Sequence, residues 1–194
     1  MLDFVPGLRR WMKNPFVDLV VTLAIAGGIA FAVQLWFVKP YRIPSGSMLE
    51  TFQLGDRVLA ARFLYRFTDP ERGDIIVFHP NGQGEDAYLT DTAASVVFVK
   101  RLIGMPGEWI QAKDETVQVC TGPQGQGCRT LSESYVSSAQ DPFGPIQIPE
   151  GEYFMMGDNR GASDDSRVWG TISRDQMIGR SFMIYWPPTH LGFF

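Results

Sequence analysis

Ser45 and Ser47 sit in the run Pro44-Ser45-Gly46-Ser47-Met48, turn chemistry that keeps side chains accessible and lets backbone N–H groups face a ligand. A serine hydroxyl is a weak nucleophile until a base takes its proton, so the next question is which group could do that. The chain has two histidines, His79 and His190. His79 closes the apolar run Ile75-Ile76-Val77-Phe78 and His190 lies in a tail of Pro, Gly and Phe; neither has an evident Asp partner in sequence, and an ordinary structural histidine is the simpler reading of each. Lys100 and Arg101 interrupt the strand-like run Val96 to Ile103. By alternation Lys100 shares a face with Val96, Phe98 and Leu102, and Arg101 shares the other with Val97, Val99 and Ile103. Both could simply carry their charge out to water. They differ in chemistry, because a desolvated lysine can lose its proton and act as a general base whereas arginine cannot. Cys120 and Cys128 are the only thiols. The Gly-, Pro- and Gln-containing stretch between them can bend to close a disulfide, the expected state in an exported domain, while two thiols without a neighbouring His make a poor metal site. No cofactor or metal is expected.

The elements that must position these groups begin with Phe16 to Val38, 23 residues interrupted only by Asp18 and Gln34. At ~1.5 Å per residue they span about 34 Å, enough for a bilayer core, so a transmembrane helix over 16–38 is expected. Asn14 can cap it, Pro15 suits its first turn, Asp18 sits at the favourable end of the helix dipole, and Trp11 and Trp36 fall near the interfaces. A cleaved signal peptide would have a shorter apolar region ending in small residues; Lys39-Pro40-Tyr41-Arg42 follows instead, as for a retained anchor. Arg9, Arg10 and Lys13 before the helix, against Lys39 and Arg42 after it, place the amino terminus inside and the bulk of the chain outside. The net charge is −4. With no basic face visible, a nucleic-acid partner is not expected.

From Lys39 onward the pattern is one of strands: Arg57 to Ala61, Asp74 to Phe78, Val96 to Ile103, Glu108 to Ala112, Thr116 to Val119, Glu152 to Met156 and Ile178 to Trp186. The fold class expected is mainly β, an antiparallel sheet domain over 39–194 behind a cytoplasmic segment at 1–15 and the anchor. Asn81 to Ala94 and about 113–150 read as long surface loops or an inserted hairpin region. Lys39 to Gly46 is eight residues, so Ser47 lies at most about 26 Å along the chain from the helix end and must face the membrane surface.

Four blocks occur in one order: Pro44-Ser45-Gly46-Ser47-Met48; Gly73-Asp74-Ile75-Ile76-Val77-Phe78; Val99-Lys100-Arg101 with Gly104-Met105-Pro106-Gly107; and Gly157-Asp158-Asn159-Arg160-Gly161-Ala162-Ser163-Asp164-Asp165-Ser166-Arg167. In these the chain resembles the bacterial type I signal peptidases. The resemblance implies a membrane-bound serine endopeptidase that removes signal peptides from exported preproteins, with Ser47 as nucleophile, Lys100 as general base and Ser163 orienting its amine. It also implies Ser45 and the Ser47 N–H as an oxyanion hole, an Asp165–Arg167 ion pair shaping the site, and structural roles for Asp158, Asn159 and Arg160. Ile43, Pro44, Met48 and Val99 would bind an extended substrate strand with small residues first and third before the cut. The partners implied are the preprotein and the lipid bilayer, and the protein is expected as a monomer of the bacterial cytoplasmic membrane. A lysine base requires a depressed pKa; desolvation among Val96, Phe98 and Leu102, with no carboxylate close to the amine, is the expected cause. The family often has Pro where Glu50 stands, which puts the turn after the nucleophile in question, and Asp where Glu108 stands, a mild change in a turn. Two rival readings are a membrane-tethered β binding module, which has no need of Lys100 beside Ser47, and a self-cleaving repressor-type Ser/Lys peptidase, which would carry a DNA-binding domain where the apolar helix stands.

Overall fold

The computed structural model describes residues 15–79 and 97–194. Trp11, Asn14, the amino-terminal cations, the Asn81 to Ala94 loop and Val96 fall outside the described residues. Two compact units are found, Met1–Lys39 and Pro40–Phe194.

In the first unit, Pro15–Trp36 is a 22-residue α-helix with Asp18 in its first turn, where unpaired N–H groups favour a carboxylate. Phe16, Leu19, Leu23 and Ile29 on it are exposed. Side chains of this helix are described for residues 15–29 and 31, and among the described residues no helix is long and apolar enough to cross a membrane. The helix stops short of the expected end at Val38, and Val38–Arg42 is strand β1. Pro40 explains the switch, because proline forces the residue before it into extended backbone and cannot continue a helix.

The second unit holds two antiparallel sheets. Its strands are β2 (Arg57–Ala61), β3 (Ile75–Phe78), β4 (Phe98–Gly104), β5 (Trp109–Lys113), β6 (Thr116–Cys120), β7 (Arg129–Thr130), β8 (Phe143–Gln147), β9 (Glu152–Met156), β10 (Ile172–Ser173), β11 (Met177–Trp186) and β12 (Gly192–Phe193). The larger sheet runs β1-β2-β11-β3-β4-β9-β10 with β12 also on β11, and the smaller runs β7-β6-β5-β8. Alternation along the central strands divides the core. Ile76, Phe78, Leu102, Tyr153 and Met155 pack on one face. Ile103, Phe154 and Met156 turn the other way to meet Ile110, Val117 and Val119 of the smaller sheet. A third cluster joins Ile75 and Ile184 to Ile43, Met48 and Phe52, so the turn bearing Ser47 is seated on the sheet through its apolar neighbours.

The region 113–150, expected as loops or a hairpin insertion, contains β6, β7 and β8 of the smaller sheet. β8 is an edge strand interrupted by Gly144 and Pro145, with a register shift opposite Ile110 and Ala112. An edge is where a strand tolerates proline, and Gly144 at φ 79° lies against the Ile110 carbonyl, where a Cβ would come within 2.6 Å.

Candidate active site

Ser47 stands on the short 3-10 turn Gly46–Met48. Met48 and Phe52 are buried beneath it, and the Met48 carbonyl accepts from the N–H groups of Thr51 and Phe52 at 3.1 and 2.7 Å. Asn159 holds the turn from the other side. Its N–H donates to the Ser47 carbonyl at 3.1 Å, and its side-chain amide donates to the Gly46 carbonyl at 3.0 Å. The Ser47 backbone is thus fixed while its hydroxyl remains on a cavity wall, with Ser45 Oγ 3.4 Å from Ser47 Oγ.

Lys100 comes to the same cavity from β4. The cavity encloses about 310 Å³; one wall is Ile43, Pro44, Ser45, Ser47 and Met48, the other Val97, Phe98, Val99 and Lys100, with Arg42 and Asp164 supplying charge. Lys100 is 4% exposed, and its amine donates to Ser163 Oγ at 2.9 Å. Burial, the largest cause, pushes the amine down to about 8; Arg167 acts in the same direction, whereas Asp165, Asp164 and Asp158 act upward. The expectation of an amine remote from any carboxylate is therefore corrected. Burial still prevails because two of those carboxylates are already committed. Asp165 is held by Arg167 through bonds of 2.7 and 2.8 Å, and Asp158 by Arg101 through bonds of 2.9 and 2.6 Å; their fields at Lys100 are partly cancelled by the paired cations.

These pairs also build the scaffold. Asp165, fully buried, accepts from the Gly157 N–H at 3.0 Å. Arg167 donates to the carbonyls of Arg160 and Ser163 at 2.8 and 3.2 Å, which fixes the loop carrying Ser163. Asp158 accepts from Thr51 Oγ1 at 2.5 Å and so ties that loop to the turn after Ser47. Gly157 stands between the two reactive sides: a Cβ there would overlap Ser163 Oγ and come within 2.5 Å of the Ser47 carbonyl oxygen. Gly157 opens the Gly157–Arg167 motif, but nothing in the sequence shows its task; the close approach of two distant segments does. Arg42, Val97, Phe98 and Asp164 were likewise not singled out as cavity residues, although their neighbours Ile43, Val99 and Ser163 were.

Glu50, at φ 84°, occupies the left-handed region that proline, fixed near −65°, cannot enter. The turn after Ser47 therefore differs in backbone from one built on proline. Glu108 closes the Gly104–Gly107 turn instead, accepting from the Met105 N–H at 2.9 Å and from Arg72 at 2.5 and 2.7 Å.

The histidines lie elsewhere. His79 is buried, its backbone exchanging bonds with Gln176. His190 does have an acidic partner, Asp56, at 3.0 Å, a pairing hidden in sequence because 134 residues separate them. Neither histidine lines the cavity. Cys120 and Cys128 are joined in a disulfide.

A hydroxyl on a pinned turn and a poorly hydrated amine thus line one cavity, and near pH 8 such an amine can be neutral and accept a proton. Residues 16–186 match the family described as signal peptidase, peptidase S26, and the chain belongs to that family. It is 35% identical over 180 residues to signal peptidase I of Leptolyngbya laminosa, covering 92% of this chain and 84% of that protein. It is 30% identical over 189 residues to signal peptidase IB of Staphylococcus aureus, covering 91% and 92%. A crystal structure of a signal peptidase I from Enterococcus faecalis aligns with 58% of this chain and 97% of that one at 31% identity and a TM-score of 0.43.

Proposed function

We propose that this chain is a membrane-anchored serine endopeptidase that removes signal peptides from exported preproteins. The observation that carries the reading is the buried Lys100 amine on the cavity that Ser47 also lines. In the proposed reaction Lys100, neutral, takes the Ser47 proton as Oγ attacks the scissile carbonyl. The Ser47 N–H and Ser45 Oγ stabilise the oxyanion, a role in which one donor is worth roughly 2.7–4 kcal/mol in analogous sites. The protonated Lys100 then gives its proton to the departing amine, leaving the new carboxyl end of the signal peptide as an ester on Ser47. Lys100, neutral again, takes a proton from the water that attacks the ester and returns it to Ser47 Oγ as the acyl bond breaks. Ser163 orients the amine throughout, and the Asp165–Arg167 pair holds the Ser163 loop.

The substrate lies extended between the Ile43 and Val99 segments. Its first and third side chains before the cut point the same way, into the shallow apolar floor at Ile43, Met48 and Val99. The anchor in this reading is the whole apolar run Phe16 to Val38, which includes residues whose side chains are not described and at ~1.5 Å per residue is long enough for a bilayer core; the exposed Phe16, Leu19, Leu23 and Ile29 side chains suit lipid. The amino terminus faces the cytoplasm, the catalytic domain lies outside, and the protein acts as a monomer. Only eight residues, Lys39 to Gly46, lie between the end of the apolar run and Ser47, a span of at most about 26 Å, and a signal peptide is cut just beyond its own apolar region. The test is cleavage of a labelled preprotein by the full chain in detergent. Ala first and third before the cut should support cleavage and Phe at either should block it; indifference to both would point to another peptidase class.

A further inference from the structure

Beyond β7 the chain leaves the smaller sheet, with the Leu131 N–H still bonded to the Val117 carbonyl at 2.9 Å, and carries two side chains onto the scaffold of the cavity. The Glu133 carboxylate takes bonds of 2.8 and 2.5 Å from the Arg160 guanidinium, with the two side chains 9% and 1% exposed. The Tyr135 hydroxyl donates to Glu133 at 2.8 Å, and the Arg101 guanidinium carbon lies 3.8 Å from the centre of the Tyr135 ring.

We propose that Glu133 and Tyr135 are positioning residues for the peptidase reaction, Glu133 acting through Arg160 on the loop that bears Ser163 and Tyr135 acting through Arg101 on the clamp over the Ser47 turn. The inference rests on the peptidase reading given above. Each link is a contact in the structure. Arg160 donates from Nε to the Gly157 carbonyl at 3.1 Å, and its own carbonyl is held by Arg167; Gly157 is the residue wedged between Ser163 and the Ser47 carbonyl. Arg101 grips Asp158 and donates to Thr51 Oγ1 at 3.2 Å, four residues beyond Ser47. One short segment of the smaller sheet's periphery therefore reaches both the base's hydroxyl partner and the nucleophile's turn. A buried arginine needs an anionic partner merely to be tolerated, but these two guanidiniums also hold the Gly157 carbonyl and Asp158, on the loop that carries Ser163, and Thr51, beyond Ser47, where a displacement of about 1 Å can cost about 10²-fold in rate. Burial first, and then the Glu133 carboxylate, push the Tyr135 phenol upward, so it remains a donor near neutral pH.

Full-length protein in detergent provides the test, with Glu133→Gln, Glu133→Asp and Tyr135→Phe compared with the unchanged chain. Two quantities are read: kcat and KM on a preprotein, and the titration of Lys100 followed by its acetylation rate against pH in mass spectrometry. Glu133→Gln should keep a cooperative unfolding transition, lower kcat about tenfold or more with KM within about twofold, and move the Lys100 midpoint upward by about half a pH unit as water reaches the amine. Glu133→Asp should recover part of both. Tyr135→Phe, which deletes a single hydroxyl, should show the same directions at smaller size and decides the matter if Glu133→Gln does not fold. Folded Glu133→Gln with kcat and the Lys100 midpoint unchanged, or an unchanged Tyr135→Phe where Glu133→Gln is unfolded, overturns the proposal. An unchanged chain that fails to cleave preprotein removes the peptidase reading instead, while the Lys100 titration still reports whether Glu133 positions the amine.

Discussion

Replacing Asp164 by Asn should make the enzyme faster near neutral pH. Lys100 has its amine pushed from the usual 10.5 to about 8, so at pH 7 about 9% of it is neutral, against about 0.03% for an ordinary lysine, a gain of about 300-fold in available base. Asp164, exposed on the same cavity, works against that gain by favouring the cation. Its removal should lower the Lys100 pKa. Solvent screens an exposed carboxylate strongly, so the expected change is a few tenths of a pH unit and about a twofold rise in kcat/KM at pH 7, vanishing above pH 9. The assay is kcat/KM on a peptide substrate from pH 6 to 10, where the acidic limb should sit near 8 in the parent and lower in Asp164→Asn. Folding has a linked signature: the unfolded chain binds the Lys100 proton more tightly than the folded one. This group's contribution to stability therefore rises with pH between about 8 and 10.5, and below that window it costs about 3 kcal/mol. An acidic limb that stays put or moves upward in Asp164→Asn would refute the reasoning, as would one near the ordinary His value.

Four further outcomes follow from named contacts. Gly157→Ala should lower kcat about 10²-fold or more in protein that still unfolds cooperatively, because its methyl group displaces Ser163 and the Ser47 backbone together; near-normal turnover would contradict the packing. Glu50→Gly should raise stability by about 1 kcal/mol in thermal unfolding by relieving the positive φ, whereas Glu50→Pro should destabilise the turn and depress activity. Replacing both Cys120 and Cys128 by Ser should cost roughly 2.5 kcal/mol in denaturant unfolding on the loop-entropy view. Cleavage should fall with it under mild denaturant, since the segment bearing Glu133 begins just beyond Cys128. His190→Ala should keep activity and lose about 1 kcal/mol of stability, the scale of a single hydrogen bond.

Legibility in sequence followed chain locality. β2 and β9 have the bounds read from alternation alone, because each is a short apolar-rich run closed by turn residues. β1 and β8 were not read as strands, since Pro40 and Pro145 break the pattern that a strand shows; both are edge strands, whose free side needs no proline N–H. Lys100 was singled out from its position on an apolar strand, and its burial follows from the sheet. What no local pattern could carry was the meeting of segments far apart in the chain: Asp56 with His190, Gly157 against Ser47, Arg160 with Glu133. Charged residues at such distances look like ordinary surface charges until the fold removes the water between them.

The central claim is that Ser47 and Lys100 perform the chemistry as nucleophile and base, and the most direct measurement is preprotein cleavage by folded Ser47→Ala and Lys100→Arg beside the unchanged chain. Cleavage should be lost in both, because one lacks the attacking hydroxyl and the other carries a permanent cation that cannot take its proton. Substantial turnover by Lys100→Arg, with the acidic limb of the pH profile unmoved, would contradict the account.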